Sequence, residues 1–347
     1  MHIADEIVLH IGFAKTGTTA IQRFMLSKKQ ELLARRVLWP TDESNHYHLH
    51  SIVAEKPDAL IQIGDLGLSD ESTSAFLDAW RARITEEIEE AAPTRIVLSS
   101  EHLNGANIVE LVRLRRFLAA FTRRIRVLAY VRDPWSMAIS TAQQNLRDGL
   151  WAGPTSLAFV LNFSEALERF RVAFDVTPEV HVYRSDIVAD FLDWIELGDL
   201  IEECSVQENA SIGLYTACIL SRLNQDFPGF DASGAYIADR ARGWMVERLM
   251  GAFKDEPPIL MSRATVDKIA IEGAWEMRAI ERRYFGGRRI FDGFEQRLET
   301  ILGDDTIRIE RLDMETVARG MLAAMRALAE HGVFCHDEIE RLRVRSG

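Results

Sequence analysis

Cysteine is scarce. Cys204, Cys218 and Cys335 are widely spaced and odd in number in a chain of 347 residues, so neither a disulfide framework nor a CxxC metal site is encoded, and reduced buried thiols are expected. Positive charge is also in deficit. With 41 Lys and Arg against 53 Asp and Glu, the net charge of −12 excludes a general nucleic-acid-binding surface while leaving room for one local basic pocket. No apolar run approaches the roughly 20 residues of a membrane span, and the opening residues Met1 to Glu6 lack a basic n-region, so a cytoplasmic location is expected. There is no Pro/Gly/Ser-rich linker, internal repeat or low-complexity tract, which favours a single domain over 1–347.

What is present is alternation. β-Branched runs at Ile7 to Ile11, Arg95 to Leu98, Ile125 to Val131 and Val180 to Tyr183 alternate with helical periodicity, the pattern of a parallel βαβ sheet in an α/β fold. Ile21, Phe24, Met25 and Leu32 share one helical face that would pack on that sheet. Beyond about residue 190 the strand signals fade. Val317, Met321, Met325 and Leu328 then repeat at helical spacing before Gly332, a candidate C-cap. The expected organisation is therefore an α/β core over 1–190 and a mostly helical completion over 191–347 that contributes to an acceptor cleft. Residues 42–70 and 225–239 have the weakest periodicity and are expected to be loops.

The first strand breaks into Gly12-Phe-Ala-Lys15-Thr16-Gly17-Thr18-Thr19, a loop suited to phosphate. Gly12 and Gly17 have P-loop spacing, but Thr18 stands where the Walker lysine belongs and Lys15 lies inside the loop. Backbone amides of Thr16, Gly17 and Thr18 at a helix N-terminus can cradle an anion, with the Thr18 and Thr19 hydroxyls as further donors. Lys15 would face a bridging or leaving oxygen.

A second anion site is spelled by Ile125-Arg-Val-Leu-Ala-Tyr-Val-Arg132-Asp133-Pro134, with Ser140 eight residues after the arginine. An apolar strand ends on Arg132, and Pro134 opens the next helix, where its missing N–H costs nothing. Arg132 bidentately and Ser140 singly can grip one phosphate. A third strand, Arg95-Ile-Val-Leu-Ser99-Ser100-Glu101-His102, ends on two groups capable of proton transfer.

Lys15-Thr16-Gly17-Thr18-Thr19 together with Arg132 and Ser140 resembles the sulfotransferases that use 3′-phosphoadenosine 5′-phosphosulfate (PAPS), in particular bacterial carbohydrate sulfotransferases. The resemblance covers roughly 5 to 190. It implies that the Lys15 loop, including Thr16, Gly17, Thr18 and Thr19, holds the 5′-phosphosulfate, and that Arg132 and Ser140 hold the 3′-phosphate. Asp133 departs from the Asn of many cytosolic members. The catalytic base is then Glu101, with His102 as competitor because an imidazole titrates nearer neutrality; strand neighbours face opposite ways, so only one of them would face sulfur. No metal is required, the released product is 3′,5′-bisphosphate (PAP), and the acceptor is a hydroxyl on a saccharide or glycolipid. Two other readings stay open: a P-loop kinase or nucleotide hydrolase with Glu101 as a Walker B acid, and a non-catalytic nucleotide-binding protein.

Weaker signals complete the reading. His46, His48 and His50 alternate, which in an extended segment gives one imidazole face that is metal-capable, although a polar loop beside the acceptor is favoured. His10 reads as a core histidine. Ser99 and Ser100 are either donors to the transferring group or satisfied strand-end hydroxyls. Asn209 to Ser211 and the basic stretch Arg282 to Arg289 resemble segments of the same bacterial chains. A helix end with paired arginines is the simpler account of the second. Asp186, after Tyr183-Arg-Ser, is expected to cap a helix.

Overall fold

A computed structural model describes residues 3–57, 60, 63, 68–149, 162–203, 211–226, 229, 240–259, 263–291 and 312–345. Their elements run β1 (Glu6–Ile11), α1 (Thr18–Ser27), α2 (Lys29–Ala34), β2 (Val37–Leu38), α3 (His48–Ser51), α4 (Asp70–Ala91), β3 (Arg95–Ser100), α5 (Ile108–Leu118), β4 (Ile125–Val131) and α6 (Pro134–Asp148). Then follow α7 (Phe163–Phe174), β5 (Glu179–Val182), α8 (Ile187–Trp194), α9 (Leu214–Asp226), α10 (Arg240–Ala252), α11 (Arg263–Tyr284) and α12 (Met314–Arg345). The chain forms two compact units: Met1–Asp133 with Leu161–Glu208 and Trp275–Phe291, and Pro134–Val160 with Asn209–Ala274 and Asp292–Gly347.

The first unit holds a five-stranded, all-parallel sheet in the order β2-β3-β1-β4-β5. All four strands expected from sequence are present. The unexpected β2 is two residues long, too short to show alternation. β1 is central and buried along its length, as a strand covered on both faces must be. Val8, Val97, Leu128 and Tyr130 meet Ile21, Met25 and Leu32 from α1 and α2, and Ile187 and Phe191 from α8, with Phe24 partly buried beside them. Each fully buried aliphatic side chain of this kind contributes roughly 1.5–3 kcal/mol relative to exposure.

The second unit is helical. Its core includes Leu146, Ile219, Leu220, Leu249 and Phe253. On α12 the buried positions are Thr316, Gly320, Ala324 and Ala327, whereas Met321 and Met325 are exposed. The face that packs is thus the small-residue one, because the helix backbone comes close to Ile219: a Cβ on Gly320 would lie 2.1 Å from its Cδ1. Gly332 caps nothing, since α12 continues through it to Arg345. A single helical glycine costs only about 1 kcal/mol, which a long helix absorbs. Cys218 is a buried free thiol in this unit; Cys204 lies outside the described residues, as does the side chain of Cys335.

Two core histidines set an acid limit on the first unit. His10 Nδ1 lies 2.9 Å from Ser99 Oγ, and burial pushes its pKa down to about 3. His46 Nδ1 accepts from the Ser99 N–H at 3.0 Å while Nε2 lies 2.8 Å from Pro40 O, and burial lowers its pKa to about 4 despite those bonds. Both folded values are depressed below that of an unfolded histidine, so the unfolded chain takes up protons first. Their stabilisation is intact above about pH 6.5 and is lost as pH falls toward 4, with a limiting slope of about 3 kcal/mol per pH unit for two groups. Urea midpoints should therefore drop between pH 6.5 and 4.5. An unchanged midpoint over that range contradicts the neutral state of this pair.

Candidate functional site

In an open parallel sheet, ligands bind beyond the carboxyl ends of the strands, where the strand order reverses. Here β1 is flanked by β3 and β4, and the three sequence motifs follow those three adjacent strands. The structure therefore brings the Lys15 loop, Glu101 and Arg132 to one edge.

The loop after β1 turns on two left-handed residues, Lys15 at φ 63° and Gly17 at φ 80°. Gly17 accommodates this without strain; Lys15 is an L-residue held where few are found, a feature concentrated at ligand sites. α1 begins at Thr18 with no side-chain cap, and the first N–H groups of any helix lack intrahelical partners. Gly12 cannot carry a side chain. A Cβ there would lie 2.4 Å from Thr18 Oγ1 and 2.9 Å from Glu101 Cγ.

Two of the threonine hydroxyls are engaged within the loop. Thr16 Oγ1 donates to Phe13 O at 2.7 Å, and Thr18 Oγ1 reaches the same carbonyl at 3.5 Å. Both side chains are buried and tie the loop together internally, whereas Thr19 is exposed. What this loop can offer an anion is its backbone N–H groups, together with the exposed Thr19 hydroxyl.

Glu101 and His102 do not alternate as strand neighbours would. β3 stops at Ser100, Glu101 has helical dihedrals, and a short 3-10 turn occupies His102–Gly105. This turn sends Glu101 against the loop at Gly12, while His102 is exposed and meets Tyr47, ring centroids 5.8 Å apart. Burial raises the Glu101 pKa above the usual glutamate value, opposed by the Lys15 charge. Asn104, absent from the sequence reading, closes the turn onto the loop: its side-chain amide donates to Gly12 O, and its own carbonyl accepts from Arg169 at 2.5 Å. An Asn three residues past a candidate base has no distinguishing pattern in sequence.

Arg132 is half-buried, and its Nη1 donates to Lys15 O at 2.6 Å. Its guanidinium lies 4.5 Å from the centre of the Tyr183 ring, a cation–π contact. Burial lowers its pKa, countered by Tyr183 and Asp133, and an arginine so lowered is still a cation. Tyr183 also backs the loop, since a Cβ on Gly17 would sit 2.9 Å from its Cε2. Its only sequence signal was its place at the end of a strand. Ser140 is half-buried on α6, in the second unit.

Other expectations are resolved here. Ser99 is a satisfied core hydroxyl, bonded to His10 and to Gln22 Nε2 at 3.1 Å, whereas Ser100 Oγ is buried with no partner among the described residues. The alternating histidines are not extended, because His48–Ser51 is the helix α3 and all three rings are buried. Among the described residues no group of three or more His, Cys, Asp or Glu is arranged to hold a metal ion, and no helix is long and apolar enough to cross a membrane. Asp186 occupies the N-cap position of α8, but its side chain makes no capping bond. Arg282 to Arg289 is the end of α11 and the turn after it: Arg283 pairs with Glu168 at 2.5 Å, and the Gly287 N–H closes onto Glu281 O at 2.8 Å. Asn209 and most of 225–239 lie outside the described residues. Comparison with protein-family models, curated proteins and solved structures gives no match for this chain.

Proposed function

We propose that this chain is a PAPS-dependent sulfotransferase acting on an acceptor hydroxyl of a carbohydrate or glycolipid. The observation that supports it best is the joining of two candidate anion sites, since Arg132 donates to the backbone of the very residue, Lys15, whose ammonium would meet the leaving group. A donor with phosphates at both ends of one nucleoside needs two such sites in fixed relation. An ATP-hydrolysing loop needs a lysine after Gly17, where Thr18 stands.

In this mechanism the Glu101 carboxylate takes the proton of the acceptor hydroxyl. The acceptor oxygen bonds to sulfur in line, the bond from sulfur to the bridging phosphate oxygen breaks, and the electron pair leaves with PAP. Lys15 and the loop amides stabilise the negative charge that grows on that oxygen. Arg132 binds the 3′-phosphate.

The test is transfer of radiolabelled sulfonate from PAPS across sugars, glycolipids, phenols and steroids, alongside binding of PAP and of ATP with Mg²⁺. Transfer to a sugar hydroxyl is expected. No transfer combined with preferential binding of ATP would instead support a kinase-like enzyme. Arg132→Ala should weaken PAPS binding roughly 10- to 100-fold, the scale of a lost charge-assisted hydrogen bond, and abolish preference over adenosine 5′-phosphosulfate. If that preference survives in Arg132→Ala, the 3′-phosphate is held elsewhere.

A further inference from the structure

The proposed function leaves the acceptor's chemistry open, and the segment before α3 bears on it. The His46 N–H donates to Ser99 O at 2.9 Å and its ring accepts from the Ser99 N–H, so residues 45–48 are pinned to the end of β3, two residues before Glu101. A continuous aromatic wall results. His102 meets Tyr47, Tyr47 meets His48 at 4.7 Å, and His48 meets Phe76 and Trp80 of α4 at 5.1 and 5.7 Å. His102 is exposed and Tyr47 half-buried, so both rings offer accessible surface on the segment that carries Glu101 and on the one pinned beside it.

The charge beside this wall is of one sign or cancelled. Glu43 accepts from Trp80 Nε1 at 3.2 Å and is paired with Arg83 at 3.5 Å, and Glu110 faces His50 at 3.4 Å. Glu101 itself is anionic when it acts as a base. Desolvation among these rings lowers the pKa of His48 to about 4 and also lowers that of His102, whose ring keeps an exposed edge. Lys15 and Arg132, two cations of the site, are both committed to the donor in the mechanism above. Buried polar atoms without partners among the described residues also collect in these two segments: Asn45 Oδ1, His48 Nδ1, Ser100 Oγ and Asn104 Oδ1. Such atoms are costly unless a partner is supplied.

We propose that Tyr47 and His102 form the acceptor platform, and that it takes the apolar face of an uncharged sugar ring while rejecting anionic sugars. Ring faces rich in C–H stack on aromatic side chains, and several hydroxyls on one ring suit a neighbourhood rich in unpartnered polar atoms better than the single hydroxyl of a phenol does. A carboxylate on the acceptor would be desolvated beside Glu101, where described cations are already engaged, Arg83 with Glu43 and Arg169 with Glu165 and the Asn104 carbonyl.

This inference rests on the sulfotransferase reading, and its test separates the two. Initial rates of sulfonate transfer from PAPS are measured for neutral methyl pyranosides, for the matching methyl uronosides and for 2-naphthol, with PAP binding followed by calorimetry. Neutral pyranosides should exceed the uronosides by at least about tenfold in kcat/KM, and Tyr47→Ala should raise the acceptor KM about tenfold with the KM for PAPS and PAP binding unchanged. Tyr47→Phe, which keeps the ring face, should recover most of the acceptor affinity lost in Tyr47→Ala. Should Tyr47→Ala lose PAP binding through misfolding, His102→Ala provides the same comparison. Uronosides or 2-naphthol turned over as well as neutral sugars, or an acceptor KM indifferent to both alanine variants, overturns the platform while leaving the transferase reading intact. Absence of PAP binding and of transfer to any acceptor overturns both.

Discussion

Glu101→Gln is expected to lower kcat by about 10² to 10⁴, the range for loss of a positioned general base, while PAP binding stays near wild type. The amide keeps the shape that packs against Gly12 but takes no proton. The pH profile supplies an independent check. Burial raises the Glu101 pKa and Lys15 opposes the rise, so the active carboxylate is lost, as pH falls, at a higher pH than for an ordinary glutamate. The logarithm of kcat/KM should climb with unit slope through that raised value and then level off. His102→Gln should leave this limb in place, because its ring is exposed and turned toward Tyr47. A limb that disappears in His102→Gln and survives in Glu101→Gln would reverse the two roles.

Lys15→Ala is expected to slow transfer by about 10² to 10³, the magnitude for removing one preorganised donor from a developing oxyanion. The backbone here demands a second variant. Lys15 sits at φ 63°, where alanine is strained and glycine is not, so Lys15→Ala changes charge and conformation together. Lys15→Gly removes the ammonium and relaxes the turn while keeping the carbonyl that accepts from Arg132. Both variants should be slow to a similar degree. If glycine restores the rate lost with alanine, the loop's shape is what matters and the ammonium is not at the breaking bond.

How far the sequence went depends on the kind of signal. Strands β1, β3 and β4 were legible because buried parallel strands are runs of β-branched and aliphatic residues, the half-buried edge strand β5 by its valines, and α1 because a glycine loop and an apolar face announce it. β2 escaped, its two residues being too few for any period. α3 escaped as well. Its histidines alternate like a strand, yet they are buried by Trp39, Phe76, Trp80 and Glu110, partners distant in the chain or silent in local pattern. On α12 the periodic methionines marked a helix correctly, yet Met321 and Met325 are exposed, since close helix packing selects the small residues Gly320, Ala324 and Ala327.

Local chemistry written in the sequence determined the parallel sheet, the helix behind the first loop and the three strand-end motifs. Backbone propensity and hydrophobic period act over a few residues and need no distant partner. Which side chains meet was decided only in three dimensions. The turn of Glu101 toward Gly12 and of His102 toward Tyr47, the Arg132 bond to the Lys15 carbonyl, and the Asn104 clasp on the loop join residues about 90 to 117 positions apart or depend on where β3 ends. Strand order places those ends side by side, and hydrogen-bond geometry then selects the partners.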